Sequence, residues 1–148
     1  MEPDGLFVYG TLREGGRHHR WLLRTHPEGT IGAFAPGRLF HLPAHGYPAL
    51  VPGEDPGGDP PGPGWVRGVF VGYEDADALA SAVADLDPLE GADTGLFERI
   101  ALPVVLDSGH RYAAWAYVFP ADRLPRLERE AVELPSGDWK AYLGPGEI

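Results

Sequence analysis

Two rhythms of apolar residues run along this chain, and they predict different elements. Leu6 to Tyr9 is an unbroken apolar run and reads as a short, buried first strand. It breaks at Gly10 into a polar loop, Thr11-Leu12-Arg13-Glu14-Gly15-Gly16. Arg17 to Leu23 carries Trp21, Leu22 and Leu23 and suits a short helix. Gly29 to Leu42 reads as one or two strands, with Ile31, Phe34, Leu39 and Phe40 as apolar members and Gly32 and Gly37 as bends. Trp65 to Gly72 returns to strand character. Beyond it the period changes: Ala76, Leu79, Ala80, Val83 and Leu86 fall at i, i+3, i+4, i+7 and i+10, one continuous face of a helix. Glu74 or Asp75 suits its N-terminus, and Pro88 ends or tightens it. Leu96 to Leu106 and Tyr112 to Phe119 read as two strands joined by a turn at Asp107 to His110. In the second of them Ala114, Ala116 and Val118 alternate with Trp115, Tyr117 and Phe119. A tail with Leu124, Leu127, Val132 and Leu134 leads to Ser136 to Leu143, a short helical turn capped by Ser136. These elements predict an α+β fold of five or six strands, a small mixed sheet curled toward a barrel with one main helix packed on it.

Gly53 to Gly64 has no rhythm at all, being mostly Gly and Pro. The 52 residues before it are few for an independent core. The segment is therefore read as a surface excursion (53–64) joining two strands of one domain, residues 1–148.

Composition narrows the function classes. Lys+Arg 12 against Asp+Glu 22 gives a net charge of −10, a surface that repels nucleic acid and anionic lipid. With no Cys, thiolate nucleophiles, disulfides and Cys-ligated zinc are excluded. No apolar run approaches the roughly 20 residues of a membrane span. The start, Met1-Glu2-Pro3-Asp4, shows no signal-peptide pattern, so a soluble cytoplasmic protein is expected. Oligomeric state leaves no trace in the sequence.

The candidate chemistry is then short. Strand-Gly10-x4-Gly15 opens like a phosphate loop, but Gly16 and Arg17 stand where Lys and Ser or Thr are needed. His41 and His45 are separated by Pro43, which forbids the helix that paired metal-ligating histidines require, and His18, His19, His26 and His110 read as surface residues. No metal site is expected. Ser81, Ser108 and Ser136 lack the context of an activated nucleophile. Among the carboxylates Asp85, Asp87, Glu90 and Asp93, Glu90 stands apart. It follows Pro88-Leu89 at a helix end, where apolar neighbours can raise a carboxyl pKa toward neutrality and suit it to proton transfer.

Several stretches, in order, resemble the γ-glutamylcyclotransferase-like (AIG2-like) family. They are Tyr9-Gly10-Thr11-Leu12 after the first strand, Gly37-Arg38-Leu39-Phe40, Tyr47-Pro48-Ala49, Leu86-Asp87-Pro88-Leu89-Glu90-Gly91, and Phe97-Glu98-Arg99. A strand ending in Tyr117 and the tail around Trp139 complete the set. Phe97 stands where many relatives have Tyr. The resemblance implies a small barrel-like α+β fold and an enzyme that cyclises a γ-glutamyl amide to 5-oxoproline, releasing an amine, with no cofactor. It implies Glu90 as the acid/base and Tyr9, Gly10, Thr11 and Leu12 as the glutamyl-binding loop. Tyr117 is a further pocket residue on this reading, although its alternation suits the core equally, and Arg99 is expected to pair with an acidic neighbour. Backbone amides after Tyr9, rather than Arg13 or Arg17, would hold the substrate anion. A non-catalytic module binding a small γ-glutamyl or anionic metabolite is the alternative, and a protein-interaction role for the Pro-rich excursion rests on composition alone.

Overall fold

The structure, a computed structural model, describes residues 2–14, 16, 18–43, 46–90 and 97–143. Gly15, Arg17, His45, Gly91, Asp93 and Leu96, all named above, lie outside the described residues. In chain order the elements are β1 (Gly5–Val8), α1 (His19–Leu23), β2 (Gly29–Leu42), β3 (Tyr47–Pro52), β4 (Trp65–Gly72), α2 (Ala76–Leu89), β5 (Glu98–Leu106), β6 (Arg111–Val118), α3 (Leu124–Glu130), β7 (Val132–Glu133) and α4 (Trp139–Leu143).

Five strands close on themselves. β1 pairs antiparallel with β4 and parallel with β6. β4 pairs with the first half of β2, β6 with β5, and β5 returns to β2 at Ala33↔Leu106 and Phe34↔Val105. Closure removes the exposed edges an open sheet would present. The second half of β2 leaves the barrel: from Gly37 to Leu42 it pairs with β3, and Phe40 and His41 pair with β7. Gly37 is the pivot. Its φ of +155° disfavours an L side chain, and a Cβ there would stand 2.5 Å from the Val51 carbonyl oxygen.

Both faces of the sheet are covered, which is why the strands read as near-continuous apolar runs. In β1 all four residues are buried. Phe7 joins Ala33, Val66, Phe70, Val104 and Ala114 in one cluster, while Leu6 and Val8 join Val71, Leu79, Val83 and Leu86 in another. α2 thus packs on the outside of the barrel. The alternation in β6 has the same origin. Ala114, Ala116 and Val118 belong to the first cluster, Tyr117 and Phe119 to the second.

Several expectations need correction. There are seven strands among the described residues, since β3 and the two-residue β7 add to the count. The face of α2 is rotated: Ala82 is buried with Leu79, Val83 and Leu86, whereas Ala76 and Ala80 are exposed. Ala76 opens the helix and Ala80 turns outward, so small apolar residues at the right spacing were counted although solvation costs them little. Pro88 does not end α2, which runs one residue further. A missing N–H so near the C-terminus breaks few bonds. Asp75 caps its start, accepting a 2.8 Å hydrogen bond from the Ala78 amide. The cap of α4 is Asp138, not Ser136: its carboxylate accepts from the Ala141 amide at 3.2 Å. The tail also holds a helix, α3, which starts with Pro125 in its first turn, a position where proline is well tolerated. Residues 53–64 are largely exposed and join β3 to β4.

Candidate active site

A cavity of about 320 Å³ opens where the end of β1, the start of β3 and the end of α2 meet. Every expected site residue lines it: Tyr9, Gly10, Thr11, Leu12, Glu90 and Tyr117. Tyr47, Pro48, Pro88, Leu89 and Phe97 supply most of the apolar wall.

The loop after β1 is a tight turn. The Arg13 amide donates to the Gly10 carbonyl at 3.0 Å, and the His18 amide reaches back to the Thr11 carbonyl at 3.0 Å. Among the described residues the amides of Gly10, Thr11 and Leu12 donate no hydrogen bond. Three consecutive unused donors on a cavity wall form the kind of concavity that takes an anion. Gly10 allows this approach. A Cβ there would come within 2.6 Å of the Pro48 ring and 3.9 Å of the Trp139 ring. The Tyr47-Pro48-Ala49 stretch places Pro48 against the loop at Gly10.

Tyr9 contributes its ring. Its hydroxyl is committed elsewhere, donating to the Tyr117 carbonyl at 2.5 Å and accepting from the Leu50 amide at 3.2 Å. Burial, above all, raises its pKa. That hydroxyl ties the end of β6 to β3 beneath the cavity.

Glu90 sits at the C-cap of α2, its amide bonded to the Leu86 carbonyl at 3.0 Å. One carboxyl oxygen, Oε1, is buried with no hydrogen-bond partner among the described residues. Burial pushes its pKa from an ordinary 4.5 up to about 7. The partial negative charge at the helix C-terminus acts in the same direction. A buried carboxyl with an open oxygen and a pKa near neutrality can both take and return a proton.

The same turn of helix carries Asp87, which Arg99 grips with two bonds, Nε to Oδ1 at 2.8 Å and NH2 to Oδ2 at 3.2 Å. Arg99 therefore pairs with an acidic neighbour, and its guanidinium lies 4.3 Å from the centre of the Trp115 ring. The Tyr117 hydroxyl also donates to Asp87 Oδ1, at 2.7 Å. Arg13 does not line the cavity. It turns to Asp138 at 3.3 Å, while Lys140 bonds the Glu14 carbonyl at 3.0 Å, so α4 clasps the outer side of the loop.

Sequence reasoning missed His18. It lines the cavity, with Nδ1 3.1 Å from Thr11 Oγ1. Its place depends on the loop folding back so that the His18 amide meets the Thr11 carbonyl, and no local pattern announces that.

Comparisons with known proteins place the chain among relatives of one family and fold. The profile of the family described as Gamma-glutamyl cyclotransferase, AIG2-like, matches residues 6–141. Gamma-L-glutamyl-butirosin B gamma-glutamyl cyclotransferase of Niallia circulans is 31% identical over 145 residues, which cover 93% of this chain and 76% of the relative. Among solved structures, YkqA from Bacillus subtilis aligns with a TM-score of 0.60 at 25% identity over 95% of this chain, which spans only 41% of YkqA. An AIG2-like protein from Mus musculus shares the fold, with a TM-score of 0.63 at 20% identity over 98% of this chain and 92% of its own. The chain belongs to the Gamma-glutamyl cyclotransferase, AIG2-like family and is an enzyme of the cyclotransferase type.

Proposed function

We propose that the cavity binds a γ-glutamyl amide and cyclises it to 5-oxoproline, releasing the amine. The observation that carries the reading is that one cavity is lined both by Glu90, whose buried Oε1 has no hydrogen-bond partner among the described residues, and by three consecutive backbone amides that donate to none of them. The Niallia circulans relative is named for a γ-L-glutamyl compound, which supports the same substrate class.

The chemistry asks little of the protein. In a γ-glutamyl amide the α-amine and the γ-carbonyl belong to one molecule, so holding the curled conformer can lower the barrier by several kcal/mol, of the order of 7 in favourable cases. The α-carboxylate lies against the amides of Gly10, Thr11 and Leu12. Glu90 as carboxylate takes a proton from the α-ammonium. The freed amine attacks the γ-carbon, forming the ring C–N bond. Glu90 then returns the proton to the departing nitrogen as the original amide bond breaks. The ring nitrogen then sheds its second surplus proton through Glu90 to the released amine, so the products are 5-oxoproline and an ammonium, and Glu90 ends as the carboxylate it began as. No enzymic nucleophile enters, which suits a chain without Cys. The apolar wall from Pro48, Leu89 and Phe97 keeps water from the reacting atoms and keeps Glu90 at its raised pKa.

Incubation with a panel of γ-glutamyl amides (glutathione, γ-glutamyl dipeptides and γ-glutamylamines), followed by assay for 5-oxoproline, tests the reading. Stoichiometric 5-oxoproline and amine from at least one of them is the expected outcome. Tight binding without product from any of them would instead make this a binding module.

A further inference from the structure

The substrate just proposed brings an ammonium as well as a carboxylate, and the amides of the loop can serve only the carboxylate. A hydrogen-bond acceptor must face the ammonium. Glu90 is one. The structure offers a second in Tyr117.

A tyrosine hydroxyl ordinarily donates or accepts as its surroundings require. At Tyr117 the choice is made by the protein. The hydroxyl proton is directed at Asp87 Oδ1, 2.7 Å away, and among the described residues nothing donates to the oxygen. Asp87 is held as an acceptor by both nitrogens of Arg99, which lies opposite Tyr117 in the β5–β6 register and rests on the Trp115 ring. The Tyr9 hydroxyl pins the Tyr117 carbonyl from the other side. Tyr117 thus lines the cavity with its proton turned away and its lone pair unused among the described residues.

Resting on the γ-glutamyl reading of the cavity, we infer that Tyr117 Oη accepts a hydrogen bond from the substrate α-ammonium, and that Asp87, clamped by Arg99, is the positioning residue that makes it an acceptor. The site then selects for a free α-amine, and Asp87 has a role distinct from that of Glu90 one turn away. N-acylated or des-amino ligands lose this contact. A hydrogen bond to a charged group contributes roughly 10- to 100-fold in affinity.

The test compares two ligands in a Glu90→Gln background, where turnover is slowed enough to measure binding: a γ-glutamyl amide, and the matching glutaric acid monoamide, which keeps the carboxylate and the amide but lacks the α-amine. Adding Tyr117→Phe should weaken the first by about 10-fold or more and the second by less than about 2-fold. Adding Asp87→Ala should act like Tyr117→Phe. Asp87→Asn should retain most of the preference, because an amide oxygen can still accept the tyrosine proton although the negative charge is gone. Equal weakening of both ligands by Tyr117→Phe would overturn the inference. So would Asp87→Asn behaving like Asp87→Ala, because charge alone would then explain the effect. Release of 5-oxoproline by the unaltered protein is scored separately. If it occurs and the ligand preference survives Tyr117→Phe, the inference falls and the proposed function stands; if no γ-glutamyl amide is bound or turned over, both fall.

Discussion

The Glu90 carboxyl has its Oε1 buried where burial is costly for an anion, and that cost has a pH signature. Its folded-state pKa of about 7 lies above the ordinary 4.5. The native state therefore holds a proton that the unfolded chain has already lost between those values. This contribution to stability is full below pH 4.5, falls as pH rises, and is gone above pH 7. Its full size is about 3 kcal/mol, from about 1.4 kcal/mol per pH unit. Glu90→Gln should remove this slope and leave the protein more stable than the parent above pH 7, as denaturant titrations across pH would show. The same ionisation should appear in catalysis. Since the carboxylate is the base, kcat/KM should rise with pH through about 7. A profile flat from pH 5 to 9 would remove Glu90 from the proton path. At this scale much was legible: Leu89 before Glu90 and the helix end around it already signalled an apolar setting for a carboxylate. The partner of Tyr117 was not legible, because Asp87 and Tyr117 are joined only by packing α2 onto β6.

At the scale of elements, the turn after β1 depends on what lies behind it. Gly10 cannot carry a Cβ without displacing Pro48 or itself. Gly10→Ala should therefore raise KM by about 10-fold or more while the far-ultraviolet circular dichroism stays parental, since one lost anion contact is worth that much. The Arg13–Asp138 pair acts on the outer side of the turn, with the Arg13 side chain only 11% exposed. Arg13→Ala should cost about 1–3 kcal/mol of stability by unfolding in urea, because it removes a packed, nearly buried side chain and leaves the half-buried Asp138 without its guanidinium. Its kcat/KM, measured well below the melting temperature, should fall only a few-fold. A loss of 100-fold with the fold intact would mean that the arginine, not the backbone, holds the substrate. The contrast between the two variants separates shape from charge in the same loop.

For the whole molecule, the barrel is a device for bringing residues far apart in sequence to one wall. Strands β5 and β6, with a tight turn between them, were readable from alternation and turn residues, and so was α2 from its 3.6-residue period. Closure was not. It rests on β2 pairing with β5 across some seventy residues, and on Gly37 swinging the rest of β2 away to meet β3 and β7. Neither pairing has a local signature, and two-residue β7 is too short to show a rhythm. The tail is equally non-local in effect. Trp139 is 1% exposed and packs into the cluster that includes Phe7 and Tyr9, beside Gly10. Trp139→Ala should cost about 3–5 kcal/mol by urea unfolding and also weaken substrate binding, since the cavity floor rests on it. The account as a whole meets its most direct test in one comparison: the rate of 5-oxoproline release by parent and Glu90→Gln, on the best amide of the panel, near pH 8. A fall of 10²-fold or more in kcat, with ligand binding retained, is the predicted result, in the range expected for loss of a general acid/base. Release at the parental rate by Glu90→Gln would contradict it.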